Sequence, residues 1–293
     1  MQIIKVLGGL GNQLFQYSFG KALEEHTGLK VYYDIEDFDI KYKLRKNNLK
    51  HFNITPSIAD PKDVARLTSV YNKAIYKVYD MLNGAVVNKN SLKYYSEKGL
   101  LFNEDVFSLN NDIYLNGYWQ SEKYFSKISS IIRNDLQIIT PPDDINLATI
   151  NKIENSNSIS LHIRRGDYVS NPSLKNIYYN CSIEYYEKAM DYIAEHVNEP
   201  LFFIFSDDIA WAKANLKSKY NMIFIDANDA DHSYEDLRLM SLCKHNITAN
   251  STFSWWGAWL NNTNNKIVIT PKQWFKEGSY SSADLIPQGW NIL

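Results

Sequence analysis

The chain has little of what staples, anchors or strongly charges a protein. Two cysteines, Cys181 and Cys243, occur in 293 residues. That excludes a disulfide scaffold and any zinc site made of cysteine alone. The six histidines show no zinc-ligand spacing. No Gly-x-Ser-x-Gly elbow is present, so a Ser–His–Asp triad cannot be placed. The longest purely apolar run, 201–205, is far below the roughly 20 residues a spanning helix needs. The opening MQIIKVLGG lacks the basic-then-apolar pattern of a secretory signal. The expectation is a cytoplasmic protein, in which Asn-x-Ser/Thr matches such as 53–55 and 250–252 are chance. Charge of one sign is also missing: 31 Lys and Arg meet 33 Asp and Glu. That balance argues against nucleic acid as a partner, since sequence-independent binding rests on many phosphate contacts.

The one excess is aromatic. Phe, Trp and Tyr reach 14%, which carbohydrate-handling surfaces and ordinary cores both use, so composition does not choose between them. With 45% hydrophobic and 22% charged residues, a packed core is expected, and the length fits two domains. Residues 2–6 read as a buried strand, 8–11 as a glycine loop, 13–27 as a helix ended by Gly28, and 29–33 as a second strand. This βαβ start predicts a parallel sheet. The region 35–110 is irregular, with helices predicted near 61–82. Then come a strand at 113–119, a helix at 121–136, and the Thr140-Pro141-Pro142 breaker as a domain crossover. Strands predicted at 159–163, 201–205, 222–225, 247–249 and 267–269 alternate with helices at 183–196, 208–216, 234–244 and 253–261. That is the pattern of a doubly wound domain, whose ligands bind at the carboxyl ends of the strands.

Several motifs stand at such ends. Gly8-Gly9-Leu10-Gly11-Asn12-Gln13 has the setting of a dinucleotide fingerprint, with Asp34 at the next strand's end. However, Leu14 occupies the third glycine position, and no Gly-Lys-Ser/Thr follows to make a Walker A loop. The loop is either a tight turn or one that approaches a sugar or phosphate, with Asn12 and Gln13 offering amides. In His162-Ile163-Arg164-Arg165-Gly166-Asp167, alternation points His162 away from Ile163. Two arginine forks stand at the strand's end, suited to a diphosphate; a structural Arg–Asp pair with Asp167 is the plain alternative. Asp207-Asp208 and Asp229-Ala230-Asp231 raise a divalent-metal reading. Asn250-Ser251-Thr252-Phe253-Ser254 brings hydroxyls to a strand-to-helix transition that suits an anion or ribose. The following Trp255, Trp256 and Trp259 read as core, with Gly257 and Ala258 packing the helix on its sheet. The basic run Lys41-Tyr42-Lys43-Leu44-Arg45-Lys46 is a solvated face or a contact for a membrane surface or an anionic ligand.

Taken together, Gly8–Tyr17, Tyr118-Trp119-Gln120-Ser121-Glu122, His162–Tyr168, Phe205–Asp208 and Ala249–Leu260 closely resemble the bacterial α-1,2-fucosyltransferase family, glycosyltransferase family 11. The resemblance implies an α/β fold of GT-B type, two Rossmann-like domains facing a central cleft. Residues 1–150, with the insert 35–110, would form the acceptor side, and 151–293 the GDP-fucose-binding domain. It implies inverting transfer of L-fucose from GDP-β-L-fucose to the 2-hydroxyl of a terminal β-galactose. The partners would be that donor and a galactose-terminated oligosaccharide, in surface-polysaccharide (O-antigen) assembly at the cytoplasmic face of the inner membrane. No cofactor and no metal are required. Arg164, with Arg165, would hold the diphosphate. His162 and Asp236 would lie near guanine or its ribose. Asn250, Ser251, Thr252 and Ser254 would line the donor site, and Asn12, Gly11 and Gln13 the opposite side near fucose. Asp167 is the acid available near the arginines; the stretch after it, 168–173, offers no glutamate as base. The competing expectations are a metal-dependent sugar transferase on Asp229 and Asp231, an NAD-dependent oxidoreductase on Gly9, Gly11 and Asp34, and a non-catalytic sugar-binding module.

Overall fold

The structure is a computed structural model that describes residues 1–40, 46–109 and 112–293. Most of the basic run 41–46 lies outside the described residues. The chain divides into two compact units: Met1–Gln137 with Ala283–Leu285, and Ile138–Ser282 with Ile286–Leu293. The expected boundary at 150 therefore moves to 137/138. The reason is a helix where a crossover was expected: Asp144–Glu154 is capped by Asp143 and packs on the helix Ser233–Leu242 of the second unit.

In the first unit, β1 (Gln2–Lys5) buries Ile3 and Ile4 and leads into the glycine loop. Gly8 has φ +84°, and a Cβ there would stand 2.6 Å from the Asn12 amide nitrogen, so glycine is needed twice over. Helix α1 (Leu10–Thr27) ends as expected at Gly28, φ +67°, whose N–H reaches the Glu24 carbonyl. Strands β2 (Val31–Asp34), β3 (Tyr94–Ser96) and β4 (Ile113–Asn116) complete a parallel sheet of order β2-β1-β4-β3. The helices predicted near 61–82 are two in number. Pro61–Leu67 stops at Thr68, and Ser69 caps α2 (Val70–Met81) by accepting from the Asn72 N–H. The predicted helix over 121–136 begins as two 3₁₀ turns, Glu122–Tyr124 and Ser126–Ile128, and is α-helix at Ser129–Asp135. Here the aromatic excess is core: Phe19 stacks on Trp119 at 4.1 Å, and Tyr124 meets both rings edge-on.

The second unit follows α3 (Asp144–Glu154) with β5 (Asn157–Ile163), α4 (Gly166–Ser170), α5 (Ile183–His196), β6 (Pro200–Ser206), α6 (Ile209–Asn215) and β7 (Asn221–Phe224). Then come α7 (Ser233–Leu242), β8 (His245–Ile247), α8 (Thr252–Leu260), β9 (Val268–Thr270) and β10 (Asn291–Ile292). All six strands are parallel, in the order β10-β9-β8-β5-β6-β7. Alternation along β5 sorts its faces. Ile159, Leu161 and Ile163 join the core under α5, while Ser160 and His162 point to the other side, where Ser160 meets Asn246 and His162 meets Phe253.

The tryptophans of α8 are core, with Trp255 and Trp256 fully buried. Gly257 makes its close approach to a neighbouring helix, not to the sheet: a Cβ there would lie 2.8 Å from Cβ of Met240 on α7. We expect Gly257→Val to force α7 and α8 apart and lower stability by about 1–3 kcal/mol, read from denaturant unfolding. An unchanged midpoint would show that the helix pair is not close-packed there.

Candidate functional site

Read from the β7 edge, the second sheet runs β7-β6-β5-β8-β9-β10, the doubly wound order 3-2-1-4-5-6. The chain moves outward one way from β5 through β6 and β7, then returns to β5's other side as β8. The loops leaving β5 and β8 therefore diverge, opening a crevice at their carboxyl ends. These two loops carry the His162–Asp167 and Asn250–Ser254 motifs.

Arg164 is fixed on both sides. One terminal nitrogen meets Asp167 Oδ1 at 2.5 Å and the other meets Asp207 Oδ2 at 2.7 Å. Its guanidinium lies 5.2 Å from the Tyr168 ring centroid, and Tyr168 stacks on Tyr178. Burial disfavours the charge, but Asp207 and Asp167 outweigh it and hold the pKa above the ordinary arginine value. Asp207, at the end of β6, also accepts the Arg165 N–H at 2.8 Å. Gly166 makes this possible, since a Cβ there would sit 2.4 Å from Asp207 Oδ2. Arg165 lies flat on Trp211, 3.7 Å from the ring centroid, with Asp208 at 3.8 Å. Two arginines thus stand among three aspartates, so the loop holds oriented donors and not a surplus of positive charge.

His162 is buried, and its Nδ1 has no hydrogen-bond partner. Burial, then the charge of Arg164, push its pKa down to about 3, so the ring is neutral at physiological pH. On α7, burial pushes the Asp236 carboxyl up to about 7, against a 2.8 Å hydrogen bond donated by Asn228. Helix α8 begins at the β8 end with Ser251 as its cap, accepting from the Phe253 N–H. Its first-turn amides form an anion-favouring helix end, and Thr252 opens that turn.

Other expected site residues have structural work. Asn250 donates to the carbonyls of Tyr179 and Trp274, tying two loops to the end of β8. Ser254 is buried and bonds the Ala249 N–H and the Ser251 carbonyl. Gln13 is fully buried, donating to the Gly8 and Lys46 carbonyls and accepting from the Asn48 N–H. These three side chains brace the loops.

In the first unit strand order also reverses at β1, and Gly11 and Asn12 lie in the first turn of α1 at that strand's carboxyl end. Asn12 Oδ1 accepts from Gln120 at 2.9 Å. Gln120 is delivered by a turn that sequence reasoning missed. Trp119 takes φ +55°, and Glu97 holds it there by accepting the Tyr118 and Trp119 N–H groups at 2.6 and 3.0 Å. Burial pushes the Glu97 carboxyl up to about 7.

The competing sites fare differently. Asp229 accepts from the Asp231 and His232 N–H groups and from the His232 ring, as the cap of a 3₁₀ turn. Among the described residues, no group of three or more His, Cys, Asp or Glu side chains is placed to hold a metal ion. Asp34, the would-be ribose acid, is buried and accepts the Tyr114 hydroxyl at 2.6 Å. Among the described residues no helix is long and apolar enough to cross a membrane.

The model of Glycosyl transferase family 11 matches residues 65–293. The chain belongs to glycosyltransferase family 11. It is 34% identical to an α-1,2-colitosyltransferase of Escherichia coli, over 98% of this chain and 97% of that one. It is 31% identical to the O-antigen biosynthesis glycosyltransferase WbnK of Escherichia coli, over 92% and 93%. Among solved structures, the α-1,6-fucosyltransferase NodZ soaked with GDP-fucose matches with a TM-score of 0.52 at 13% identity, covering 88% of this chain and 91% of that one. The fold of this family 11 glycosyltransferase is thus the α/β, parallel-sheet fold of GT-B fucosyltransferases.

A neutral buried His162 has a pH signature. Its folded pKa, about 3, lies below the ordinary histidine value of about 6.5, so on acidification the unfolded chain takes the proton first. The stabilisation is complete above about pH 6.5 and is lost as pH falls towards 3, with a slope of up to about 1.4 kcal/mol per pH unit. We expect His162→Gln to flatten the acid limb of the stability profile; parallel profiles would assign that limb to other groups.

Proposed function

We propose that the protein transfers L-fucose from GDP-β-L-fucose to the 2-hydroxyl of a terminal β-galactose, forming an α-1,2 linkage with inversion. The observation that carries this reading is Arg164, locked between Asp167 and Asp207 at the switch point of the second sheet, in a family 11 chain. The two ion pairs occupy part of a five-donor guanidinium, leaving N–H groups for a diphosphate between the β5 loop and the α8 end. Asp236 lies on the carboxyl-end side of the same sheet and serves the nucleoside. Neutral His162 supports the nucleotide without adding charge.

The acceptor 2-oxygen attacks the anomeric carbon from the face opposite GDP. The C1–O bond to phosphate breaks, and its electron pair leaves with the diphosphate. Negative charge therefore grows where Arg164 and the α8 amides stand, and the sugar becomes oxocarbenium-like. Donors aimed at that position act in the transition state more than in the ground state. No metal is needed for this. Asp167 is committed to Arg164, so it positions the arginine, and the acceptor proton passes to the departing diphosphate or to water. Asn12, paired with Gln120, serves the fucose side. The setting that agrees with a relative's name is O-antigen biosynthesis.

A second reading is favoured by the relative matching 98% of the chain, an α-1,2-colitosyltransferase. Colitose is L-fucose without its 3-hydroxyl, so the same displacement would run with a GDP-colitose donor.

Three measurements test these roles. We expect Arg164→Ala to lower kcat by about 10²–10³-fold in a chain that stays folded at the assay temperature, although the loss of both ion pairs lowers its melting temperature; wild-type turnover would remove the arginine from the mechanism. Activity should persist in excess EDTA, whereas loss restored by Mn²⁺ would move the reading to a metal-dependent transferase. GDP release with GDP-fucose and GDP-colitose, run across an acceptor array, separates the two donors. Tight binding of NAD(H) in place of GDP would defeat both.

A further inference from the structure

The most unusual surface of the first unit is the outer face of α2. This helix is amphipathic, but its apolar arc points away from the protein. Inward it offers Tyr76, buried, whose hydroxyl donates to the Ser96 carbonyl at 2.5 Å and whose ring meets Tyr94 and Tyr95 beside the edge strand β3. At 3.6 residues per turn, Val70, Val78 and Met81 fall on the opposite side, with Tyr71 beside them. They are open to solvent: Val70 is 86% exposed, Tyr71 72% and Met81 75%. Val86, just beyond the helix, is 73% exposed. A helix of a water-facing surface turns such an arc to the core.

The charge around the arc identifies what covers it. Lys73 and Lys77, both exposed, run along one flank of the helix. Arg66, Lys89, Lys93 and Lys98 are ion-paired with Asp63, Asp112, Asp105 and Asp80, which leaves Lys73 and Lys77 as the cations carried by the helix itself. An apolar arc flanked by lysines matches the boundary between acyl chains and anionic headgroups, where the lysine stems lie along apolar surface and the ammonium reaches phosphate. A second copy of this chain fits less well. A two-fold contact would set the same basic segment against itself.

We infer that α2 is an interfacial helix that docks the first unit on an anionic lipid surface. The docking is peripheral and electrostatically assisted, and it is independent of which sugar is transferred.

The test is flotation of the full chain with vesicles of phosphatidylethanolamine and phosphatidylglycerol, against vesicles of phosphatidylcholine alone. We expect binding to the anionic vesicles only. It should fall at least tenfold at high salt, in Lys73→Gln/Lys77→Gln, and in Val70→Glu/Val78→Glu/Met81→Glu. The melting temperature and turnover on a free oligosaccharide should stay at wild-type values, so failure of the docking and failure of the transferase reading give different results. No binding to anionic vesicles, or equal binding by the variants, would overturn the inference. So would a dimer in light scattering that the triple variant dissolves.

Discussion

The second unit's site depends on one constraint: Asp207 must reach both the guanidinium of Arg164 and the backbone N–H of Arg165. The carboxylate arrives on β6, the arginines on β5, and the two strands are hydrogen-bonded neighbours in register up to Ile163 and Ser206. The contact is therefore built by the sheet itself. Gly166 is the steric condition, because any side chain there would meet the carboxylate. With Asp167 on the other side, the fork of Arg164 is held before a ligand arrives, so little orientation remains to be lost when one binds.

This changes what the near-neutral composition means. The arginines are not a patch of unbalanced positive charge: they pair with Asp167 on their own loop and with Asp207 and Asp208 on the loop after β6. Attraction for an anion then comes from direction, through aimed N–H groups and a helix end, more than from net charge. It follows that affinity for the nucleotide should depend less on ionic strength than a lysine-rich site's would. The buried, neutral His162 fits the same logic, since a charged ring there would be costly beside Arg164.

The periodicity of the second half was legible because its central strands β5 and β6 are largely buried and α5 is amphipathic. Strands β5 to β9 and helices α5 to α8 stand within a few residues of their expected places, and the family motifs were readable at their ends. What was not legible has physical causes. Strands β3 and β10 are too short to show alternation. Asp143 caps a helix immediately after a proline pair that reads as a breaker. In the site, residue type named the right loops but not the division of labour: Asn250, Ser254 and Gln13 look like ligand groups and serve as braces, while Asp207 and Trp211 do the positioning. A pairwise contact between strand ends has no signature along one chain, whereas Gly166 after two arginines was its one trace.

The path of the C-terminal segment has a practical bearing. Residues Ala283–Leu285 belong to the first unit, where Asp284 accepts the Phe102 N–H and pairs with Lys123, and Leu285 is buried. The chain then goes back to the second unit and supplies β10, which pairs with β9. A cut at 137/138 therefore yields two incomplete pieces: one lacks the plug that satisfies Phe102 and Lys123, and the other carries that plug with nothing to receive it. Chimaeras that exchange the first units of two relatives must carry this three-residue segment along, as a second graft, or inherit a mismatched seam.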